Sequence, residues 1–327
     1  MAPDATSEVP HRGTQLWPAL PTAQWGPTLA TLHRWTQIVG KIRMVHTPWI
    51  NHSWSVPLYV NARGLGTSLI PHVPQAYEMG FDFIDDVLRV STTDGRQALV
   101  VLEHKTVAQF YGEVIDALAG LDIDVSIHPV PSEIPDAVPF DADTEHATYE
   151  PEHARALWQA MVQAQRVFLR SRAGFLGKVS PVHFFWGSFD LCVTRFSGRE
   201  APPHPGGMPN FPDDVAREAY SREVSSLGFW PGSAESPDPI FYAYAYPQPV
   251  GYADAAVQPE EASWLADLGE FVLPYEAVRT AADPDAALLA FADSTQHAAA
   301  VLADWDAAAR DDPAYRHGAW WSARGRG

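Results

Sequence analysis

Cysteine is nearly absent from this chain. Cys192 stands alone, which excludes an internal disulfide and any multi-cysteine metal site and fits a reducing, cytoplasmic setting. Positive charge is scarce too: Lys+Arg 22 against Asp+Glu 40 leaves a net charge of −18. Such a field repels phosphate backbones and anionic lipid surfaces, so neither nucleic acid nor a membrane is expected as a partner. No run approaches the ~18 apolar residues of a membrane span. The opening MAPDATSEVPHRGTQ is polar and proline-broken, without the basic start and apolar stretch of an export signal. Also missing are a Walker loop, a GxGxxG opening a helix, a GxSxG elbow and an HExxH pair, which removes most support from nucleotide-dependent, α/β-hydrolase and zincin chemistry.

Proline and tryptophan, by contrast, are plentiful, at 29 and 12. The prolines imply many ordered loops, and the tryptophans need core space or a ligand to stack on. At 327 residues the chain exceeds the usual single domain, so two domains or two similar halves are expected.

Hydrophobic periodicity divides the chain. Leu29, Leu32, Trp35, Val39 and Ile42 recur at helical spacing behind Pro27 and predict a helix over 27–43. HSWSVPLYVNARG alternates like a half-buried strand, and Pro57 makes it an edge strand or a bulged one. FDFIDDVLRVSTTDGRQALVVLE reads as two strands joined by an Asp94-Gly95 turn. A helix follows on Val107, Phe110, Val114 and Leu118, stopping near Gly120, and IDVSIHPV resembles a short strand. The second half reads as a helix over 151–172, a strand region in SPVHFFWGSFDLCVTRF, a helix near 213–225, strands in FYAYAYPQP and GEFVLPY, and a helix over 284–307 behind Asp283. Each half opens with a helix, reaches a strand with His before Trp, and ends in a helix, a shared order that points to internal duplication.

The fold expected is therefore α+β: two related halves, each a small, mostly antiparallel sheet covered by helices, around a shared cleft. Residues 16–128 form the first half, 129–149 a crossing linker, 150–309 the second half, and 1–15 and 310–327 flexible tails.

Chemistry concentrates in SPVHFFWGSFDLCVTRF. On one straight strand, His183 and Asp190 would stand about 23 Å apart on opposite faces. A hairpin at Gly187-Ser188 instead pairs Phe185 with Asp190 and His183 with Cys192, bringing His183 and Asp190 to about 7–8 Å by backbone position. There the pair would act as a general base and its orienting carboxylate, whereas its bland reading is a core histidine and a strand-edge aspartate. Arg195 would hold a substrate carboxylate or pair internally. Asn51, His52 and Trp54 would form a second wall together with Trp186, Glu223 would be a second acid on the 213–225 helix, and Tyr244 belongs to an alternating Tyr242, Tyr244, Tyr246 surface. Glu133, Asp136, Asp141, Asp143, Glu145 and His146 make an acidic run that lacks EF-hand spacing and reads as a solvated linker.

The stretches LHRWTQIVGKIRM, NHSWSVPLYVNARGL, EIPDAVPFD, SPVHFFWGSFDLCVTRFSGR, GFWPG and FVLPYEAVR resemble a bacterial family catalogued as domain of unknown function 5996, from about Trp17 to Trp305. The resemblance implies no particular reaction, cofactor or catalytic residue. It does imply that histidines common elsewhere in the family are replaced here by Ser55 and Arg222, and a bulkier residue by Ser53, so that a site built on those histidines would be altered.

The function expected is an enzyme using His/carboxylate acid–base chemistry on a small polar molecule, with a carboxylate on that molecule as one option. The residues would be His183, Asp190, His52 and Glu223 for catalysis, with Asn51, Trp54, Trp186, Arg195 and Tyr244 binding. A non-catalytic small-molecule binder and a metal-dependent enzyme are the alternatives. Cofactor, metal and oligomeric state stay unassigned.

Overall fold

The computed structural model describes residues 16–233, 236 and 238–306, so the tails expected at 1–15 and 310–327 lie outside the described residues. The first long helix, α1 (Thr22–His46), starts five residues before Pro27, because Trp25 is fully buried and draws the chain into the core ahead of the proline. Leu29, Leu32, Trp35, Ile38, Val39 and Ile42 bury one side of it.

A five-stranded antiparallel meander follows in the order β1 (Tyr59–Val60), β2 (Gly64–Gly66), β3 (Tyr77–Asp82), β4 (Val87–Thr92) and β5 (Gln97–Val101). The expected Asp94-Gly95 turn joins β4 to β5, with Gly95 at φ 90°. Helix α2 (Val107–Ala119) opens on a capping box between Thr106 and Gln109 and ends at Gly120. Helix α3 (Pro151–Ala173) has proline in its first turn and Gly174 at its end.

The second sheet is six-stranded and antiparallel. In chain order its strands are β6 (His183–Phe185), β7 (Asp190–Glu200), β8 (Arg222–Trp230), β9 (Ile240–Tyr246), β10 (Ser263–Leu265) and β11 (Glu270–Pro274), arranged β10-β11-β9-β8-β7-β6. A short helix α4 (Asp213–Ala219) precedes β8, α5 (Tyr275–Thr280) follows β11, and α6 (Pro284–Leu302) closes the described chain with Asp283 capping Ala286 N–H. One hydrophobic cluster takes in side chains from both sheets and from α1, α2, α3 and α6. The sheets meet edge to edge, where Leu58 and Phe184 exchange backbone hydrogen bonds of 2.9 and 2.8 Å. Among the described residues no helix is long and apolar enough to cross a membrane.

Three sequence expectations change. NHSWSVPLYV is not a strand until Tyr59: Asn51–Ser53 forms a 3₁₀ turn with His52 and Ser53 at φ 58° and 57°, a left-handed backbone that no ladder accommodates. IDVSIHPV carries no strand among the described residues. The helix expected over 213–225 stops at Ala219, and Glu223 sits on β8, whose residues Val224–Phe229 are all buried. A central strand covered on both sides, not an amphipathic helix, is what that unbroken burial requires.

The crossing segment 129–149 has no regular structure yet is firmly held. Arg34, Gln37 and Lys41 form a buried polar stripe on α1, and the segment runs along it in the opposite direction. Lys41 Nζ donates to Val130 O (2.8 Å), Gln37 Nε2 donates to Ser132 O (2.9 Å) while its Oε1 accepts from Ser132 N (2.7 Å), and Arg34 Nε pairs with Asp143 (3.2 Å). Asp143, expected on a solvated linker, is fully buried and also accepts from the backbone N–H groups of Glu145 and His146. A buried acid that meets an arginine and two amides has no need of water.

Trp186 packs its indole where a Cβ on Gly40 of α1 would stand. Replacing Gly40 by Ala forces that overlap to relax, and Gly40→Ala is expected to lower unfolding free energy by about 1–3 kcal/mol, read as a reduced urea midpoint with unchanged slope.

Candidate functional site

The second sheet has one apolar and one polar face. Leu191, Val193, Leu227, Phe229, Phe241, Ala243, Phe271 and Leu273 point into the core. Alternation sends their neighbours the other way, and the register lines up His183, Cys192, Gly228 and Tyr242 in one row and Thr194, Ser226 and Tyr244 in the next. The hairpin does reverse at Gly187-Ser188 with the expected pairs His183–Cys192 and Phe185–Asp190.

Burial forces each polar group on this face to find a partner. His183 Nδ1–H donates to Pro181 O at 2.7 Å, so Nε2 is left to accept the Cys192 thiol at 3.5 Å. Burial pushes the imidazole pKa down to about 4 and the thiol well up, so both are neutral at physiological pH. Asp190 does not use His183. Its two oxygens accept from Ser188 Oγ and Tyr242 OH, and burial raises its pKa. Glycine at 228 is a steric requirement, since a Cβ there would overlap the Tyr242 ring. Tyr242 and Tyr244 stack at 6.1 Å and 13°, Tyr244 OH meets Tyr220 OH at 2.8 Å, and Tyr220 stacks on His204 at 4.6 Å.

Two glutamates complete the cluster. The crossing segment delivers Glu133 against the hairpin, where a Cβ on Gly187 would overlap its carboxylate. Glu133 holds φ 61°, and its N–H donates to Pro209 O at 2.9 Å, tying this segment to the 201–212 loop. Asn210 Nδ2 adds a bond to Ile134 O at 2.8 Å. Glu270 arrives at the start of β11. Burial and the neighbouring Asp190 push Glu133 and Glu270 each up to about 7, and no basic side chain offsets the shift in any of the three acids. From α1, His33 Nε2–H donates to Gly187 O at 2.8 Å, and burial lowers its pKa to about 4.

The other expected site residues lie elsewhere. Arg195 faces away from Asp190: its guanidinium donates to Ser171 O (2.7 Å) and Oγ (3.1 Å) and lies over Phe175, because odd-numbered residues of β7 turn toward α3. Trp186 is buried against α1, with Nε1–H donating to Val56 O at 2.9 Å. Glu223 accepts from Ser197 Oγ and Arg199 at a recess of about 290 Å³ that Tyr246, Pro247 and Trp305 also line. His52 and Trp54 gather around Lys178, while Asn51 is exposed. Phe196, in contact with both rings, is six residues along β7 from Asp190, about 20 Å at strand rise. Tyr244 alone of the expected binding residues shares the carboxylate face. Among the described residues, no group of three or more His, Cys, Asp or Glu side chains is arranged to hold a metal ion.

His33, Glu133, Tyr242 and Glu270 joined the cluster without having been singled out for it. Tyr242 was signalled by its alternation with Tyr244, and Glu133 by its place in EIPDAVPFD. For Glu270 and His33 no local signal exists.

A family model described as "Family of unknown function (DUF5996)" matches residues 17–312. No curated protein and no solved structure matches the chain.

The pKa shifts set opposite pH windows. Raised glutamates contribute stability that is present below their ordinary value of 4.5 and lost as pH rises through about 7. Lowered His33 and His183 contribute stability that is present above 6.5 and lost as pH falls toward about 4. Glu133→Gln and Glu270→Gln are therefore expected to raise the melting temperature relative to the parent at pH 8 and not at pH 4.5, measured by thermal unfolding across a pH series.

Proposed function

We propose that this chain, which belongs to the DUF5996 family, is an enzyme that moves protons on a small polar molecule seated over the polar face of its six-stranded sheet. One observation carries the reading: Asp190 is buried between two hydroxyls, with Glu133 and Glu270 in its field and no base to neutralise them. Carboxylic acids that titrate near 7 exchange protons at physiological pH in both directions, which suits general acid–base work. Glu133 and Glu270 take the acid and base roles, Asp190 raises their pKa by its charge, and Tyr242 and Tyr244 orient substrate hydroxyls. His183 serves the site as a buried spacer beneath Cys192, since a base held near pKa 4 takes few protons at neutral pH. The 201–212 loop and the crossing segment are tied together by the Glu133–Pro209 and Asn210–Ile134 hydrogen bonds, and in this reading they border the bound molecule.

Arg195 is turned to the far face, so this reading favours a hydroxyl- or amine-bearing substrate over a carboxylate. The net charge of −18 argues in the same direction and against nucleic acid, and the one buried thiol suits a reducing cytoplasm.

The test is a thermal-shift screen of small polyols, amino sugars and amines, followed by NMR of each hit in D₂O to detect product or deuterium uptake. Turnover is expected to depend on pH with a midpoint near 7. Glu133→Gln or Glu270→Gln is expected to cut turnover about 100-fold with ligand-induced stabilisation retained. Hits that bind the parent without turnover or exchange would identify a binding protein instead.

A further inference from the structure

The chain holds only three lysines, Lys41, Lys105 and Lys178. Lys41 is buried and donates to Val130 O, and Lys105 is buried and paired with Glu113 and Glu103. Lys178 is exposed, and its surroundings are unlike those of an ordinary surface lysine.

Its backbone is fixed, because Lys178 O accepts from Phe196 N at 3.0 Å and Val179 bridges to Arg195 on β7. Its Nζ lies 3.0 Å from His52 Nε2, 5.1 Å from the Trp54 ring centre and 4.9 Å from that of Phe196. His52 is itself held: it is buried, Nδ1–H donates to Ala219 O at 3.0 Å, and its backbone N–H donates to both Glu218 oxygens at 3.1 and 2.9 Å. That second anchor stabilises the left-handed turn at His52 and Ser53, a backbone state of the kind found where geometry serves function. With Nδ1 committed as a donor, Nε2 can only accept, and what it faces is an amine. An amine, a base within hydrogen-bond reach and a third group orienting the base are the three parts of an activated nucleophile.

We propose that Lys178 is a nucleophilic amine, with His52 as its proton acceptor, that condenses with a small aldehyde or ketone. The ammonium gives one proton to His52 Nε2, and the free amine adds to the carbonyl carbon. The nitrogen proton moves to the former carbonyl oxygen, giving a neutral carbinolamine. Imidazolium then returns its proton to the hydroxyl, which leaves as water, and the product is a protonated imine. Overall, ammonium and carbonyl become iminium and water, with the charge unchanged and the imidazole regenerated. Trp54 and Phe196 present ring faces to the nitrogen, where they stabilise the iminium as they do the ammonium. The charged neighbours are mixed. Partial desolvation by the packed rings lowers the pKa of the otherwise exposed lysine, Glu218 opposes this and Arg222 adds to it, and His52 is itself lowered by burial. This site lies about 20 Å along β7 from Asp190 and stands independently of the proposal made for the carboxylates.

The experiment is reductive trapping of the full chain with glycolaldehyde and sodium cyanoborohydride, read per lysine by peptide mass spectrometry, with N-acetyl-lysine amide as reference in the same tube. Lys178 is expected to react at pH 7 about tenfold faster than the reference, because the positioned His52 base takes its proton. His52→Gln is expected to bring it back to the reference rate, with circular dichroism confirming the fold. A parent Lys178 no faster than the reference, or a folded His52→Gln protein that keeps the full rate, overturns the proposal. If His52→Gln does not fold, the parent pH–rate profile decides: a half-maximal rate below that of the reference amine supports it, and coincident profiles overturn it.

Discussion

The buried polar stripe on α1 is the contact on which the carboxylate face depends. Arg34, Gln37 and Lys41 would each be costly inside the protein without partners, and the crossing segment supplies all of them: Asp143, Ser132 and Val130 in turn. A segment without helix or strand thereby acquires a defined path. Breaking a buried pair such as Arg34–Asp143 costs about 3–5 kcal/mol, because the surviving charge stays behind. Within that path Glu133 is set against the Gly187 turn, and His33, one helix turn before Gln37 on α1, holds the same glycine's carbonyl.

From that placement the electrostatics follow. Asp190 is buried, and the half-buried Glu133 and Glu270 lie in its field with no cation to offset it, so ionising Asp190 raises the cost of ionising either glutamate. The hydroxyls of Tyr242 and Ser188 help Asp190 carry charge, and the two glutamates are left titrating near neutral pH. At the other end of β7 the arrangement is reversed: a lysine over two aromatic rings and beside a neutral imidazole, with Glu218 committed to a backbone amide. One strand thus carries two chemically opposite environments on the same face, separated by Thr194 and its neighbours.

Much of the architecture was legible in the residues. The Asp94-Gly95 hairpin, the capping of α2 by Thr106 and Gln109, and the Gly187-Ser188 reversal are local events, decided by turn chemistry and by side chains within a few residues. In the region 213–225, YSREVSS carries apolar spacing compatible with a helix, whereas β8 is enclosed on both sides and burial overrides that pattern. NHSWSVPLYV alternates like a strand, yet left-handed backbone at His52 and Ser53, held by Glu218 from 166 positions away, prevents pairing.

The sequence by itself determined the α+β class and the family, and it offered a reversal at Gly187-Ser188 as the one geometry that puts His183 and Asp190 on one face, since alternation, turn residues and long motifs are properties of neighbouring positions. The tertiary structure alone decided what those groups touch. Asp190 met Tyr242 and two glutamates from distant segments, His183 turned to Pro181 and Cys192, and His52 met Lys178, because hydrogen-bond partners and shared fields depend on distance in space and not on separation along the chain.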